Sequence, residues 1–536
     1  MSSAALSPSL VRPRAINPWI VAIAVVIPTF MEVLDTTIAN VALRYIAGGL
    51  SAAVTDAEWV LTSYLAANAT ILPISGWISA RLGRRNYFLV SIAVFTIASG
   101  LCGMATSLEQ IILFRVIQGL AGGGLQPSSQ GVLLDAFPPE KQGAAQTMFG
   151  VAALLAPVVG PTLGGYLTVQ YSWRWIFYIN LPVGVLALVM CYFIVDDPDY
   201  LEEQRAGLLR RPLNLDYIGL GLLVLVMSSW EIMLSKGQEW DWLGDPSWRI
   251  QTLLILFVVA LGWLIFRELR IGNPIVNFRV LGERNFAASC VIIFCAYGVL
   301  YGASTSLPSL LQALFGYDAY VSGLVQSPSG IGAVLVMLIV GALLGRGVDA
   351  RWLIAGGLLV VAAGCYWMAR MNLYISPWQV IWPRIVMIAG LSMIFAPLNV
   401  AAFKYTPQLL RGAAVGLLAL LRNEGGSVGT SMAQTMQERR EQFHLSRLDD
   451  VLSPLNPHVQ TFLHRGQGFF LRQTNDPARS HLDTVQVLAN LRQQQAAALA
   501  YFDVFWLCAA LGVGLVVLVL LMKRSVAEKG QHAGAE

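Results

Sequence analysis

The chain has 536 residues, of which 56% are hydrophobic and 12% charged, with a formal net charge of +4 and a mean hydropathy of +0.62. An ordinary soluble domain carries about 25% charged residues, so the composition excludes a water-soluble globular enzyme, and the small net charge argues against a nucleic-acid surface. What remains is an all-α polytopic membrane protein.

About fourteen apolar stretches lie near the ~20 residues that an α-helix needs to cross a bilayer. They run at about 18–42, 57–80, 87–107, 109–131, 143–168, 175–195, 215–235, 250–267, 285–313, 321–345, 352–370, 377–403, 412–437 and 500–522. The first follows Arg12 and Arg14 and is longer than a signal-peptide core, so it reads as retained. Basic residues cluster in alternate short loops, among them Arg81, Arg84, Arg85, Lys141, Arg210, Arg211, Arg346, Arg351, Lys404, Arg411, Lys523 and Arg524. By the positive-inside rule both termini are cytoplasmic. The longest loop, 438–499, carries seven arginines yet falls on the outer side, as a loop of that length can. Its end, from Thr484 to Ala500, reads as a helix running into the last span, and serves either as a docking surface for a partner protein or as an ordered cap over the mouth. All six cysteines (Cys102, Cys191, Cys290, Cys295, Cys365, Cys508) lie in apolar stretches, so no disulfide framework is expected.

The charged segment 196–216 divides the chain, which gives an N-terminal six-helix half (1–195), a linker with two additional spans (196–284) and a C-terminal six-helix half (285–536). Gly76 with Arg81 after the second span is echoed by Gly341 with Arg346 in the second half. Repeated halves meeting at a midplane site are a common transporter plan.

None of the five lysines closes a GxxxxGK[ST] phosphate loop, and no HExxH or GxSxG is present. No enzyme, metal or cofactor is expected. The five histidines all lie outside the spans, so reversible protonation within the membrane falls to Glu32, Asp35, Glu231, Glu424 and Asp503. An intramembrane charge costs roughly 2.5–3.5 kcal/mol on insertion scales and marks a cavity, a partner or a proton path. Glu32, Asp35, Thr36 and Asn40 fall within about 140° of one another on a helix, a polar stripe that lines water or, alternatively, holds a structural ion pair or an acid snorkelling near the span end. Arg115, followed by Gln118, is always charged and needs an acid, for which Asp35 is the expected partner. Arg422, Asn423 and Glu424 put polar groups early in the thirteenth span, with Glu424 as a candidate second acid. Glu231 and Asp503 lie close to span ends and are expected to be interfacial. In the fifth span Ala152, Ala156, Gly160 and Gly164 form a small-residue ridge, and Pro161 adds a bend, so the run Gly160 to Gly165 is a candidate hinge.

Several of these runs resemble a known family. The first-span run Leu34-Asp35-Thr36-Thr37-Ile38-Ala39-Asn40, the Arg115 to Gly119 run, Gly160-Pro161 with Gly164-Gly165, and Trp173-Arg174-Trp175 leading to Asn180-Leu181-Pro182 are similar to the fourteen-span drug/proton antiporters of the major facilitator superfamily, nearest to the EmrB type. The loop after the second span resembles that superfamily's GxxxDRxGRR signature in Gly76, Arg81, Gly83, Arg84 and Arg85, with Ala80 where the family has an acid. The resemblance implies a major facilitator fold in a 6+2+6 arrangement. It further implies multidrug efflux of small amphipathic toxic compounds in exchange for protons, across a lipid-embedded cell inner membrane. A periplasmic adaptor (membrane fusion protein) and an outer-membrane channel are the implied partners. Two rivals stay open on the sequence: a dedicated metabolite or siderophore exporter of the same fold, and a non-pumping scaffold or channel for an adaptor.

Overall fold

The structure, a computed structural model, describes residues 17–138, 141–198, 201–202, 205–206, 216–272, 274–407, 410–453 and 455–525. Among these every regular element is helical. Helix α1 (Pro18–Gly49) opens on Asn17, whose side chain accepts the Trp19 amide at 3.0 Å, with Pro18 in the first turn where a missing N–H costs nothing. The second apolar stretch is interrupted: α2 (Trp59–Ile71) stops before Pro73 and α3 (Ser75–Leu82) resumes it, because proline cannot donate the next helical hydrogen bond. Gly83, at φ +90°, turns the chain into α4 (Arg84–Met104), a conformation a side chain resists. The fourth stretch splits at a glycine run into α5 (Leu108–Gly122) and α6 (Leu125–Ala136). Helix α7 (Gln142–Gln170) continues through Pro157 and Pro161, and α8 (Asn180–Ile194) completes the first group.

Helices α9 (Tyr217–Lys236) and α10 (Arg249–Arg270) come next; the linker expected at 196–216 lies largely outside the described residues. The second group is α11 (Arg284–Leu314), α12 (Ala319–Gln326), α13 (Pro328–Gly345), α14 (Ala350–Ala369), α15 (Pro377–Lys404) and α16 (Arg411–Val451), then α17 (Pro457–Thr474) and α18 (Pro477–Leu520). Among the described residues eleven helices are long and apolar enough to cross a membrane. The other expected spans coincide with the interrupted pairs α2/α3 and α5/α6 and with α16, whose apolar start is broken by Arg422, Asn423 and Glu424.

Packing follows two groups. In the first, α1 lies on α7 and α8, and α2 on α5; in the second, α11 lies on α16, and α14 on α15 and α18. They meet where α7 packs on α12, α13 and α15, and where α16 packs on α3 and α6. At the end of the bundle that holds the start of α1, Gly76 of α3 sits against the backbone of Gly412, 3.0 Å from where a Cβ would stand. Helix α10 is the most peripheral candidate span, with 17% of its apolar window buried against 44% for α9, so α10 flanks the bundle while α9 packs on α2 and α16.

The segment 438–499 differs from its reading as a loop with a helical end. Helix α16 runs unbroken for 41 residues and α18 for 44, each about 60 Å at 1.5 Å per residue, twice the ~30 Å hydrocarbon layer. Both continue past the bundle as a hairpin joined through α17. Polar sequence hid this, because hydropathy reports burial and not helicity. Arg440 Nε reaches Asp503 Oδ2 at 2.5 Å and His444 Nε2 lies 2.8 Å from the same oxygen, tying the two long helices where they leave the apolar zone.

Candidate functional site

Two buried carboxylates on α1 organise the first group. Asp35, 2% exposed, accepts Arg115 Nη1 at 2.5 Å on one oxygen, and Gln118 Nε2 at 3.0 Å and Asn180 Nδ2 at 2.7 Å on the other. Arg115 is wholly buried; it also donates to Val60 O and Gln118 Oε1, both at 3.0 Å, and lies 4.2 Å over the Tyr64 ring. Its second terminal nitrogen has no partner. Asn180 is itself held by Ser99 at 3.0 Å. The two side chains are 0% and 1% exposed beside the apolar cluster that holds Val33, Leu34, Ile38, Ile111 and Phe177, so their charge–charge attraction is little screened.

Glu32, also 2% exposed, faces a different set of neighbours. It accepts Asn68 Nδ2 at 3.1 Å, Tyr64 Oη at 3.4 Å and Gln126 Nε2. Gln126 in turn accepts Arg422 of α16, and Asn423 donates to Asn68 Oδ1 at 3.1 Å. Amide side chains therefore connect an acid of the first group with a guanidinium of the second. The Arg422 guanidinium is ringed by Phe149, Tyr297 and Phe395, 5.4–6.0 Å from each ring centre. Tyr64 joins the two sets, with its hydroxyl toward Glu32 and its face under Arg115.

Of the expected stripe, the two acids are buried, Thr36 is half-buried and Asn40 is exposed and apart from them. Glu424 points away from Arg422 and meets Glu231 of α9. That corrects the interfacial reading of Glu231, which is 3% exposed: α9 packs flush on α16, a contact that span-end counting could not register. Asp503 is partly exposed and paired with Arg440 and His444. Sequence reasoning missed Asn68, Gln126 and Asn180, uncharged amides that look like ordinary polar residues until an acid is seen beside them. It also missed Arg384, 1% exposed in α15, which the rule applied to Arg115 would have found.

The signature after the second span lacks its acid at Ala80, and its arginines make other contacts. Arg84 pairs with Asp135, the Arg85 amide donates to Asp197 at 2.8 Å, and Arg85 Nη2 donates to Tyr192 O at 2.6 Å. Arg81 lies 6.0 Å from the Trp77 ring centre. On α7, Gly160 and Gly164 meet Thr37 and Ile38 of α1, so a Cβ on Gly160 would stand 2.8 Å from Thr37 Cβ; Pro161 and Gly165 are buried beside them.

Comparison with known proteins gives a consistent result. The model of the Major Facilitator Superfamily matches residues 25–430. The multidrug export protein EmrB of Escherichia coli is 36% identical over 96% of this chain and 97% of its own length, and that of Haemophilus influenzae is 36% identical over 94% and 95%. The fatty acid resistance protein FarB of Neisseria gonorrhoeae is 34% identical over 92% and 94%. Among solved structures, the proton:xylose symporter XylE superposes with a TM-score of 0.58 at 13% identity, covering 94% of each chain, a likeness of fold alone. The superfamily is one of transporters rather than enzymes. On the helical bundle, the family match and near-full-length identity together, the chain belongs to the Major Facilitator Superfamily and, within it, to the group of the EmrB proteins.

Proposed function

We propose that this protein is a multidrug efflux transporter that exchanges amphipathic toxic compounds for protons across the inner membrane of a Gram-negative cell, with both termini cytoplasmic. Asp35 is the proton-coupling acid and Arg115 its counter-charge. The observation that carries the reading is the buried Asp35–Arg115 contact at 2.5 Å, an ion pair that a single proton neutralises on one side. Protonation of Asp35 removes the attraction and frees the guanidinium; loss of the proton re-forms the pair. Glu32, bound through Gln126 to Arg422 of the other group, transmits that change, because rocking the halves apart must break the chain of amides. The aromatic ring around Arg422 is suited to a flat, apolar substrate. Thr36 and Asn40 continue the polar stripe toward the exposed end, and Gly160, Pro161, Gly164 and Gly165 let α1 and α7 slide closely. Gly76, Arg81, Gly83, Arg84 and Arg85 hold the conformation closed at the end that carries the termini.

The arrangement is fourteen spans, six, two and six, with domains 1–195, 196–284 and 285–536. The projecting α16–α18 hairpin is the docking surface for a periplasmic adaptor, which connects to an outer-membrane channel.

The test uses everted membrane vesicles with an acidified interior. Adding a panel of lipophilic drugs should release protons from vesicles with the wild-type protein and not from vesicles with Asp35→Asn present in equal amount. If every compound leaves the gradient standing, multidrug exchange is wrong; if Asp35→Asn pumps as well as wild type, the coupling acid lies elsewhere.

A further inference from the structure

Beyond the α1 acids, the bundle holds a second carboxyl group contact that the mechanism above does not use. Glu231 of α9 and Glu424 of α16 face each other, 3% and 5% exposed. Ser427 Oγ donates to Glu231 Oε1 at 3.0 Å; the Trp230 indole N–H is the nearest donor on the Glu424 side, but neither oxygen of Glu424 has a donor within hydrogen-bond geometry. Two ionised carboxylates supply acceptors only, so neither can satisfy the other. A single proton between them gives one donor to a contact that otherwise has none, and like charges this close in a low dielectric do not both ionise.

No cation is placed to do the same work. On α9, Lys236 is spent on Thr55 O at 2.5 Å, Glu239 at 2.6 Å and Glu58 at 3.1 Å. On α16, Arg422 turns to Gln126, and Glu438, farther out, accepts Gln238 at 2.7 Å. Helix α2 turns its Tyr64 to Glu32, and α11 turns Tyr297 and Tyr301 toward the Arg422 side. On α10, Phe257 stacks at 4.7 Å on Trp230, next to Glu231, while Arg249 pairs with Asp245 and Arg267 with Asp216 at the helix ends, near Glu268 and Arg270. Among the described residues neither Glu231 nor Glu424 has an ion-pair partner.

We propose that Glu231 and Glu424 form a second proton-binding site, a carboxylic acid–carboxylate pair sharing one proton, and that it governs the seam between the halves. Helix α9 touches both sides of that seam. It meets α2 through Thr62–Ser235 at 2.5 Å and the turn just before α2 through the Lys236 contacts to Thr55 and Glu58. It meets α16 through Ser427, through Ser431 to Leu234 O at 2.7 Å, and through the following loop by Trp242 to Thr435 at 3.0 Å. With the proton present α9 straps α2 to α16; with it gone two anions oppose each other and α16 is pushed off the strap. This gives the additional helix pair a task, and the use of the site in transport, though not its existence, rests on the proton-exchange reading above.

The experiment has two arms, each on purified full-length protein. Infrared difference spectra across pH, in H2O and D2O, should show a titrating carboxylic-acid carbonyl band that is lost in Glu231→Gln and in Glu424→Gln, since an amide then donates to the remaining carboxylate. Asp35→Asn serves as the background, so that the Asp35 carboxyl does not contribute; if the double variant in that background keeps the same titrating band, the proposal is overturned. In proteoliposomes the number of protons moved per substrate should fall by one in either variant, whereas Asp35→Asn stops exchange; an unchanged ratio overturns the coupling. If no substrate moves protons at all, the export reading fails, and the infrared arm still decides whether the pair holds a proton.

Discussion

The two groups of helices carry the same arginine in the same place and surround it differently. Arg115 lies seven residues past the first residue of α5, and Arg384 seven past the first of α15. Each turns Nη1 toward the residue three positions on, Gln118 Oε1 at 3.0 Å and Met387 Sδ at 3.9 Å. The next contact differs: Arg115 meets Asp35 of α1, whereas Arg384 meets the Ser304 hydroxyl of α11 at 2.6 Å, with Nε unpartnered and no ion pair among the described residues. A guanidinium keeps its charge at any working pH, so a proton can switch the first site and cannot switch the second. Matched positions in the two groups therefore carry unmatched chemistry.

The sharpest way to break that comparison is to delete each arginine. Arg115→Ala removes the counter-charge of the buried Asp35 and leaves it only the Gln118 and Asn180 amides, a change of the kind that costs roughly 3–5 kcal/mol. Arg384→Met removes a charge with no counter-charge and fills the space, so stability should stay within about 1 kcal/mol or rise. Thermal unfolding of the purified variants decides: a larger loss at Arg384 would mean that the second site has an anion after all. Ser304→Asp then converts the second site toward the first. A charge-assisted hydrogen bond of this kind contributes about 1.5–3 kcal/mol, so this variant should unfold at a higher temperature than wild type, and Arg384→Met in its background should now be costly.

The contrast also explains what the sequence could convey. Arg115 and Asp35 were legible as a pair because a permanent cation in an apolar run has to find an acid, and one lay in the first span. Glu231 was not, because its distance from a span end says nothing about whether α9 presses on α16. The amides around Asp35 and Glu32 carry no charge that forces a partner, so only the helix packing identifies them. The extent of α16 and α18 escaped for the reason that polar residues form helices as readily as apolar ones; hydropathy sees the membrane-buried part and stops.

A smaller effect is expected where the two groups are alike. Helix α1 meets α7 at Gly160 and Gly164, and α11 meets α16 at Gly298, Gly302 and Gly429, the same close approach made twice. A methyl at Gly160 would stand 2.8 Å from Thr37 Cβ, and one at Gly429 would run into the backbone of Gly298. Overpacking of this sort costs about 1–3 kcal/mol, so Gly160→Ala and Gly429→Ala should lower the unfolding temperature by similar amounts. If only the first impairs drug export at equal protein level, close approach is a moving contact in one half and a static one in the other.

The smallest expected effect comes from an ion pair outside the bundle core. Asp216 caps α9 by accepting the Gly219 amide at 2.9 Å and pairs with Arg267 of α10 at 2.7 Å; hydrogen bonding from that guanidinium, with the Gly219 and Ile218 amides, holds the carboxyl below its usual range against the opposing effect of burial. A carboxylate with a depressed value stabilises the fold fully above the ordinary value, and that contribution disappears as pH falls through the depressed one. Arg267 is 28% exposed where Arg115 is 0%, so solvent and salt weaken the pair to about 1 kcal/mol or less. Asp216→Asn should therefore lower the unfolding temperature slightly at neutral pH, and the gap from wild type should close in acid and narrow at high salt. The Asp35–Arg115 pair, sealed from ions, should respond to salt hardly at all. A salt response as large at Asp35 as at Asp216 would show that water reaches the buried site in the resting protein, and burial would no longer account for its strength.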